Sequence, residues 1–250
     1  MSFIMSRREY LCGENFRGST LCTVPIMNQL LLIYPYPVVE RQHDPRDQIL
    51  AAIRGNINRP QLIAHTPLEL AVMMSQCHVS HPLPNALHEA LDSCDAYTFA
   101  KNEMPPLHKV PGIYKYRNEF PHYDQEAVND DLHHSGRLVH SGQVVFHGGE
   151  WPKHDNMPIL NEILTLDRPF STTLCPQVAT THAYYHNGHG YIWVITAAHN
   201  ISTPAYVFHN KKRQNLKHEM EILFAPGAQV KCTSIIPVAN RPTVLEVILQ

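Results

Sequence analysis

The chain has 250 residues, of which 44% are apolar and 17% charged, with a formal net charge of −2. That size buries a proper core, and the composition excludes a disordered chain. The near balance of 20 basic and 22 acidic side chains leaves no argument for a nucleic-acid or membrane surface as the main partner. Six cysteines, at positions 12, 22, 77, 94, 175 and 232, form no CxxC and no regular spacing. They read as reduced thiols of a cytosolic working environment.

Residues 1–43 are punctuated by glycine and proline without a sustained period and read as an irregular N-terminal extension. Their apolar run Leu30 to Ile33 is cut off by Pro35 and Pro37. It is too short for a membrane span, and no cleavage site of an ordinary secretory signal is present. Helix signals follow. Asp44-Pro45 with Asp47 and the closing Gly55 frames one helix, with Ile49, Leu50 and Ile53 on one face. Thr66-Pro67 with Glu69 is a capping box, in which hydroxyl and carboxylate each satisfy a free backbone N–H. Pro84 opens a third helix, with Leu87, Ala90, Leu91 and Cys94 at helical spacing. The three are expected to pack together as a helical lobe. Residues 101–135, with several prolines and the polar run Asn129-Asp130-Asp131, read as a connecting region, closing a second segment at 44–135.

After Gly136 the texture turns to short β-rich runs: Leu138 to Phe146, Tyr191 to Ala197, Glu219 to Phe224, Gln229 to Ile236 and Thr243 to Leu249. Two short helices, Pro158–Leu164 and Pro176–His186, are expected between the first two runs. Short strands in series with few helices predict an antiparallel α+β structure over 136–250. There is no GxGxxG after a strand and no GxxxxGK[ST], so Rossmann and P-loop nucleotide sites have no support.

Three segments carry chemistry. Val144-Val145-Phe146-His147-Gly148-Gly149 is an apolar strand ending in a polar side chain and two glycines. Pro169-Phe170-Ser171-Thr172-Thr173-Leu174 is followed by Pro176 and Ala179. Glu219-Met220-Glu221-Ile222-Leu223-Phe224 is followed by Ala225-Pro226-Gly227. Singly they are ordinary: a turn, a strand edge, a solvated strand face. In this order they resemble the arginine–serine–glutamate class of the ADP-ribosyltransferase superfamily, over roughly residues 136–250. The class carries Arg-Gly, then Ser-Thr-Ser, then Glu-x-Glu. The chain departs at His147, where the class has arginine; the diphtheria-toxin-like branch of the superfamily has His-Gly there.

The resemblance implies a split antiparallel β-sandwich beside a small helical lobe, and NAD as the substrate bound. It implies that Glu221 is the catalytic carboxylate: breaking the bond between ribose and nicotinamide builds positive charge, which a facing carboxylate stabilises in the transition state. Glu219, about 7 Å along the strand on the same face, would hold and deprotonate the acceptor. A glutamate there goes with arginine acceptors in the family, so a protein arginine is the implied target. Ser171 would brace Glu221 by a hydrogen bond. His147 would bond a ribose hydroxyl, Gly148 and Gly149 would admit the dinucleotide close to the backbone, and Thr172 and Thr173 would line and pack. Tyr184-Tyr185 read as core, with the nicotinamide as the alternative neighbour. Arg17-Gly18 and Arg54-Gly55 are the other Arg-Gly pairs and lie outside this frame.

Eighteen histidines invite a metal reading, above all His182, His186 and His189. Without HExxH, and with Gly188 and Gly190 ending the helix, no metal site is expected; His133-His134 read as loop residues. Lys211, Lys212, Arg213 and Lys217 between His209 and His218 read as a solvated turn, or as a docking rim for an acidic partner. The implied activity is a mono-ADP-ribosyltransferase acting on a protein, of the kind that serves as a bacterial effector or toxin inside a target cell. The rivals are an NAD glycohydrolase on the same site and a non-catalytic binding module on the same fold.

Overall fold

The computed structural model describes residues 29–41, 49, 53, 60–76, 81–185, 190–208 and 220–250. Its architecture is α+β. Ten strands are present among the described residues: β1 Val38–Val39, β2 Ile63–Ala64, β3 Val144–Gly149, β4 Ile163–Thr165, β5 Phe170–Thr173, β6 Tyr191–Ala197, β7 Ala205–Val207, β8 Glu221–Phe224, β9 Gln229–Ile236 and β10 Thr243–Leu249. The α-helices with described bounds are α1 Pro67–Gln76, α2 Leu83–Asp92, α3 Asp95–Glu103, α4 Pro111–Glu119, α5 Gln125–Ser135 and α6 Pro176–Tyr185.

β1 and β2 form a small antiparallel pair, and the other eight strands form one sheet in the order β4-β9-β10-β6-β3-β5-β8-β7. The sheet is mixed, not wholly antiparallel as expected: β10 runs parallel to β6, from Thr243 against Tyr191 to Leu249 against Ala197. Between β3 and β5 the register holds one pair, Phe146 opposite Thr173. The sheet is therefore split there, with five strands on one side and three on the other.

Strand alternation sorts the core into two layers. Phe146, Ile192, Val194 and Val244 face Ala71 of α1 with Ala179 and Ala183 of α6. On the opposite face Val145, Trp193, Ile195, Leu245 and Val247 join the larger cluster, which also takes in Leu83, Leu87, Leu91, Ile113, Val128 and Leu132 from the helices.

The local signals fare well where one residue pattern decides. At the head of α1, Thr66 Oγ1 accepts from Glu69 N at 3.1 Å, and Glu69 Oε2 accepts from His65 N at 2.7 Å. Both carboxylate and hydroxyl thus satisfy donors that the first turn leaves open. α2 buries Leu87 and Leu91 on one face, as predicted; it starts one residue earlier and adds Leu83 to that stripe, Ala90 is only half-buried, and Cys94 stands beyond its end. The strands predicted at 191–197, 229–236 and 243–249 form with those bounds.

Four expectations are corrected. Residues 158–164 are not helical: the chain makes a 3-10 turn at His154–Asn156 and reaches the edge strand β4, where Asn161 N donates to Cys232 O at 2.8 Å. The strand read as 138–146 starts later and runs on through both glycines, because the Ser141-Gly142 turn, with Gly142 at φ 82°, breaks it first. The connecting region holds α4 and α5. Pro111 sits in the first turn of α4, where a missing N–H costs nothing, and Asp124 caps α5 by accepting from Glu126 N and Ala127 N. Leu70 and Met74 of α1 share one buried cluster with Leu83, Leu87 and Leu91 of α2. α1 also lies over α6, β6 and β10, and α2 packs on β1 and α3. Finally, Ile49 and Ile53, both helical, are 60% and 75% exposed rather than turned to a core. Among the described residues, no helix is long and apolar enough to cross a membrane.

Candidate active site

β3 brings His147 to the split in the sheet. Its cross-strand partner on β6 is Trp193, and both project to the same face. The imidazole lies 5.2 Å from the Trp193 ring and 4.7 Å from the Phe170 ring, centre to centre. Nδ1 lies 2.8 Å from Ser171 O, and because a carbonyl only accepts, Nδ1 carries the proton. The histidine is tied to the backbone of β5.

Glycines explain the rest of this strand end. A Cβ on Gly148 would stand 1.8 Å from Ala179 O, so the backbone of α6 occupies the place of a side chain. A Cβ on Gly149 would meet His147 Nε2 at 2.8 Å, because residues two apart share a face and the imidazole folds over that position. In sequence both glycines suggest the close approach of a dinucleotide. On the side where a Cβ would stand, the neighbours are a helix backbone at Gly148 and the His147 ring at Gly149, and Gly148 also lines the cleft.

β5 and β8 place the polar pair. Thr173 is opposite Glu221 and Ser171 opposite Leu223, so Ser171 and Glu221 are diagonal neighbours on one face. Ser171 Oγ donates to Glu221 Oε1 at 2.7 Å, a hydrogen bond to a charged group and thus a strong one. Glu221 is 8% exposed. It follows Met220, whose φ of 44° is a left-handed conformation uncommon for a residue with a side chain. Thr172 points the other way, its hydroxyl donating to Ile222 O at 2.8 Å.

These groups meet in a cleft of about 290 Å³. His147 and Gly148 of β3, Ser171, Thr172 and Thr173 of β5, and Glu221 of β8 line one wall. Val178, Ala179 and His182 of α6 line another. The third wall was not legible in the sequence: Tyr116 and Arg117 of α4, and Phe120 directly after it. The signal that would have found it is the Pro-Gly opening with Ile113 and Tyr116 at helical spacing. The Arg117 guanidinium lies over the Phe208 ring at 4.6 Å. It also acts on Tyr206 close by: burial pushes that phenol up to about 12, with Arg117 opposing and Asp131 adding to the rise. Among the described residues, Glu221 is the one carboxylate lining the cleft, which Arg117, His147 and His182 also line.

Other predicted groups lie elsewhere. Tyr185 is 77% exposed, and Tyr184 receives a hydrogen bond from Arg241 at 3.3 Å, so neither is a core residue. Their rings end α6 at the surface, outside the cleft lining. Glu219, the basic run Lys211–Lys217, His186, His189, Arg17-Gly18 and Arg54-Gly55 fall outside the described residues.

No family model and no curated protein matches the chain. Among solved structures it is similar to the ADP-ribosyltransferase Vis in complex with the M6 inhibitor, at 15% identity over 74% of this chain and 90% of that one, with a TM-score of 0.48. It is similar to an ADP-ribosyltransferase from Clostridium botulinum, solved in a triclinic form, at 10% identity, over 65% and 94% of the two chains, with a TM-score of 0.42. The ADP-ribosylating toxin of a binary enterotoxin of C. perfringens, solved with NADH, aligns at 13% identity over 62% and 46%, with a TM-score of 0.41.

Proposed function

We propose that the chain is an NAD-dependent mono-ADP-ribosyltransferase with Glu221 as its catalytic carboxylate. One observation carries the reading. His147, Ser171 and Glu221, 74 positions apart at the extremes, are joined by two hydrogen bonds at one wall of a cleft: imidazole to Ser171 O, and Ser171 Oγ to carboxylate. A buried glutamate held in one rotamer by a serine suits a task in which the carboxylate must be ready before charge develops.

In this mechanism the bond between C1′ of the ribose and the nicotinamide nitrogen breaks, and its electron pair leaves on neutral nicotinamide. The sugar becomes an oxocarbenium ion. Glu221 accepts a hydrogen bond from the 2′-hydroxyl and faces the new positive charge, which is stronger in the transition state than in the ground state. The acceptor nitrogen forms the new bond to C1′ and gives up a proton. Glu219, two residues earlier, takes the role of receiving that proton. With glutamate there, the favoured acceptor is arginine, whose guanidinium is always protonated near neutral pH and needs such help.

The cleft is at the small end of ligand pockets, so it suits the nicotinamide–ribose half, with the rest of NAD along its open side. Arg117 and His182 are the cationic or ionisable groups of the lining that would meet a pyrophosphate; a guanidinium serves phosphate oxygens through several fixed donors. His147 and Thr172 would border the sugar. Residues 136–250 form the catalytic core in this reading and 44–135 the lobe beside it, with 1–43 as an extension. The partner is a protein, and the setting is that of an effector or toxin working in the cytoplasm of a target cell.

The experiment is incubation of wild type and Glu221→Gln with adenylate-labelled NAD and a host-cell lysate. Label on protein with wild type and none with the variant supports the reading. Free ADP-ribose alone makes the chain a glycohydrolase, and no turnover makes it a binding module.

A further inference from the structure

The polar run Asn129-Asp130-Asp131, which no catalytic role absorbs, lies in α5, away from the cleft. Yet Asp131 reaches across to the neighbouring helix. Its Oδ2 accepts from Gly112 N at 2.7 Å and from Ile113 N at 3.1 Å, the first free donors of α4. The residue before α4 is Val110, whose side chain has no acceptor, so α4 has no cap from its own sequence. Asp131 supplies it from outside, and its negative charge also matches the positive end of the helix.

A second contact fixes the same end. A Cβ on Gly112 would stand 2.4 Å from the carbonyl of Ala127, so the start of α4 lies directly against the backbone of α5. The other end of α4 carries Tyr116 and Arg117 into the cleft, with Phe120 just beyond. The serine–glutamate bond, by contrast, is held within β5 and β8 by strand register.

We infer that Asp131 is a positioning residue for dinucleotide binding: by capping α4 from α5 it sets the wall that presents Arg117 and Tyr116 to NAD. The inference rests on the proposed function. A loosened α4 weakens the grip on the substrate while the carboxylate stays in place, so binding suffers and the chemical step does not.

The test is steady-state NAD hydrolysis without acceptor by wild type, Asp131→Ala and Asp131→Asn. Loss of a charge-assisted cap predicts a KM for NAD raised about tenfold in the alanine variant, with kcat within about twofold. Asparagine keeps an acceptor but not the charge, and its KM falls between the two. An unchanged KM, or an equal loss in kcat, overturns the inference; where the alanine variant does not fold, the asparagine variant decides by the same criterion. Wild type that neither binds nor turns over NAD overturns the functional reading and this inference with it. Turnover by wild type with an unmoved KM in the variants overturns this inference alone.

Discussion

Ser171 Oγ and Glu221 Oε1 are 2.7 Å apart, joined across two neighbouring strands at residues that are diagonal in register. Neither residue needs the other to fold, since both strands pair through their backbones. Ser171→Ala should leave the fold intact but lower the thermal midpoint modestly, since a buried carboxylate loses one of its donors. If Glu221 is the catalytic group, the same variant should lower kcat for NAD turnover by about tenfold to a hundredfold, the worth of a hydrogen bond to a charged group. KM for NAD should move little. A kcat equal to wild type would show that the bond has no bearing on turnover.

Glycine at 148 is a packing requirement with a measurable cost. Gly148→Ala sets a methyl group 1.8 Å from a backbone oxygen of α6, which cannot swing aside. The helix must shift, and overpacking of this kind costs about 1–3 kcal/mol. Thermal melting should show a clear drop in midpoint.

Gly149→Ala should behave differently. The group it meets is the far end of the His147 ring, 2.8 Å away, which can rotate out. The expected outcome is a small change in midpoint and loss of the Nδ1–H bond to Ser171 O, seen as a changed imidazole signal by NMR. Equal destabilisation by both alanines would refute the distinction.

Cys175 is 1% exposed, and burial pushes its thiol up to about 11. The thiolate is the reactive form, so at about pH 8 this cysteine should resist alkylation in the native protein and react on unfolding. Peptide mapping after pulse labelling with iodoacetamide reads this directly. Rapid native modification of Cys175 would contradict it.

Buried acids also set an alkaline limit. Burial raises the phenols of Tyr36 and Tyr97, brings Tyr206 to about 12 and Cys175 to about 11, against ordinary values of 10.0 and 9.0. With folded values above unfolded ones, the unfolded chain releases its protons first, so stability declines as pH rises. The thermal midpoint should hold below about pH 9 and fall from about pH 9 to about pH 12. A flat profile across that window would show these groups to be exposed.

Much of this was written in local pattern. Runs of β-branched and aromatic residues set β6, β9 and β10, because a strand buried on one or both faces needs little more than that composition and a turn at each end. The Thr66 and Glu69 cap and the placing of Leu87 and Leu91 on one helix face were equally readable, since each depends on residues within a turn or two. What only the tertiary structure decided are contacts between distant segments. The parallel seat of β10 against β6, the packing of α6 on Gly148, the cap that Asp131 gives α4, and the arrival of Tyr116 and Arg117 at the cleft all join separate elements of the chain. Local spacing carries no information about which surfaces will meet. Those pairings are chosen by the burial of whole faces, and nothing in the local sequence says that a helix backbone will lie where a side chain at position 148 would stand.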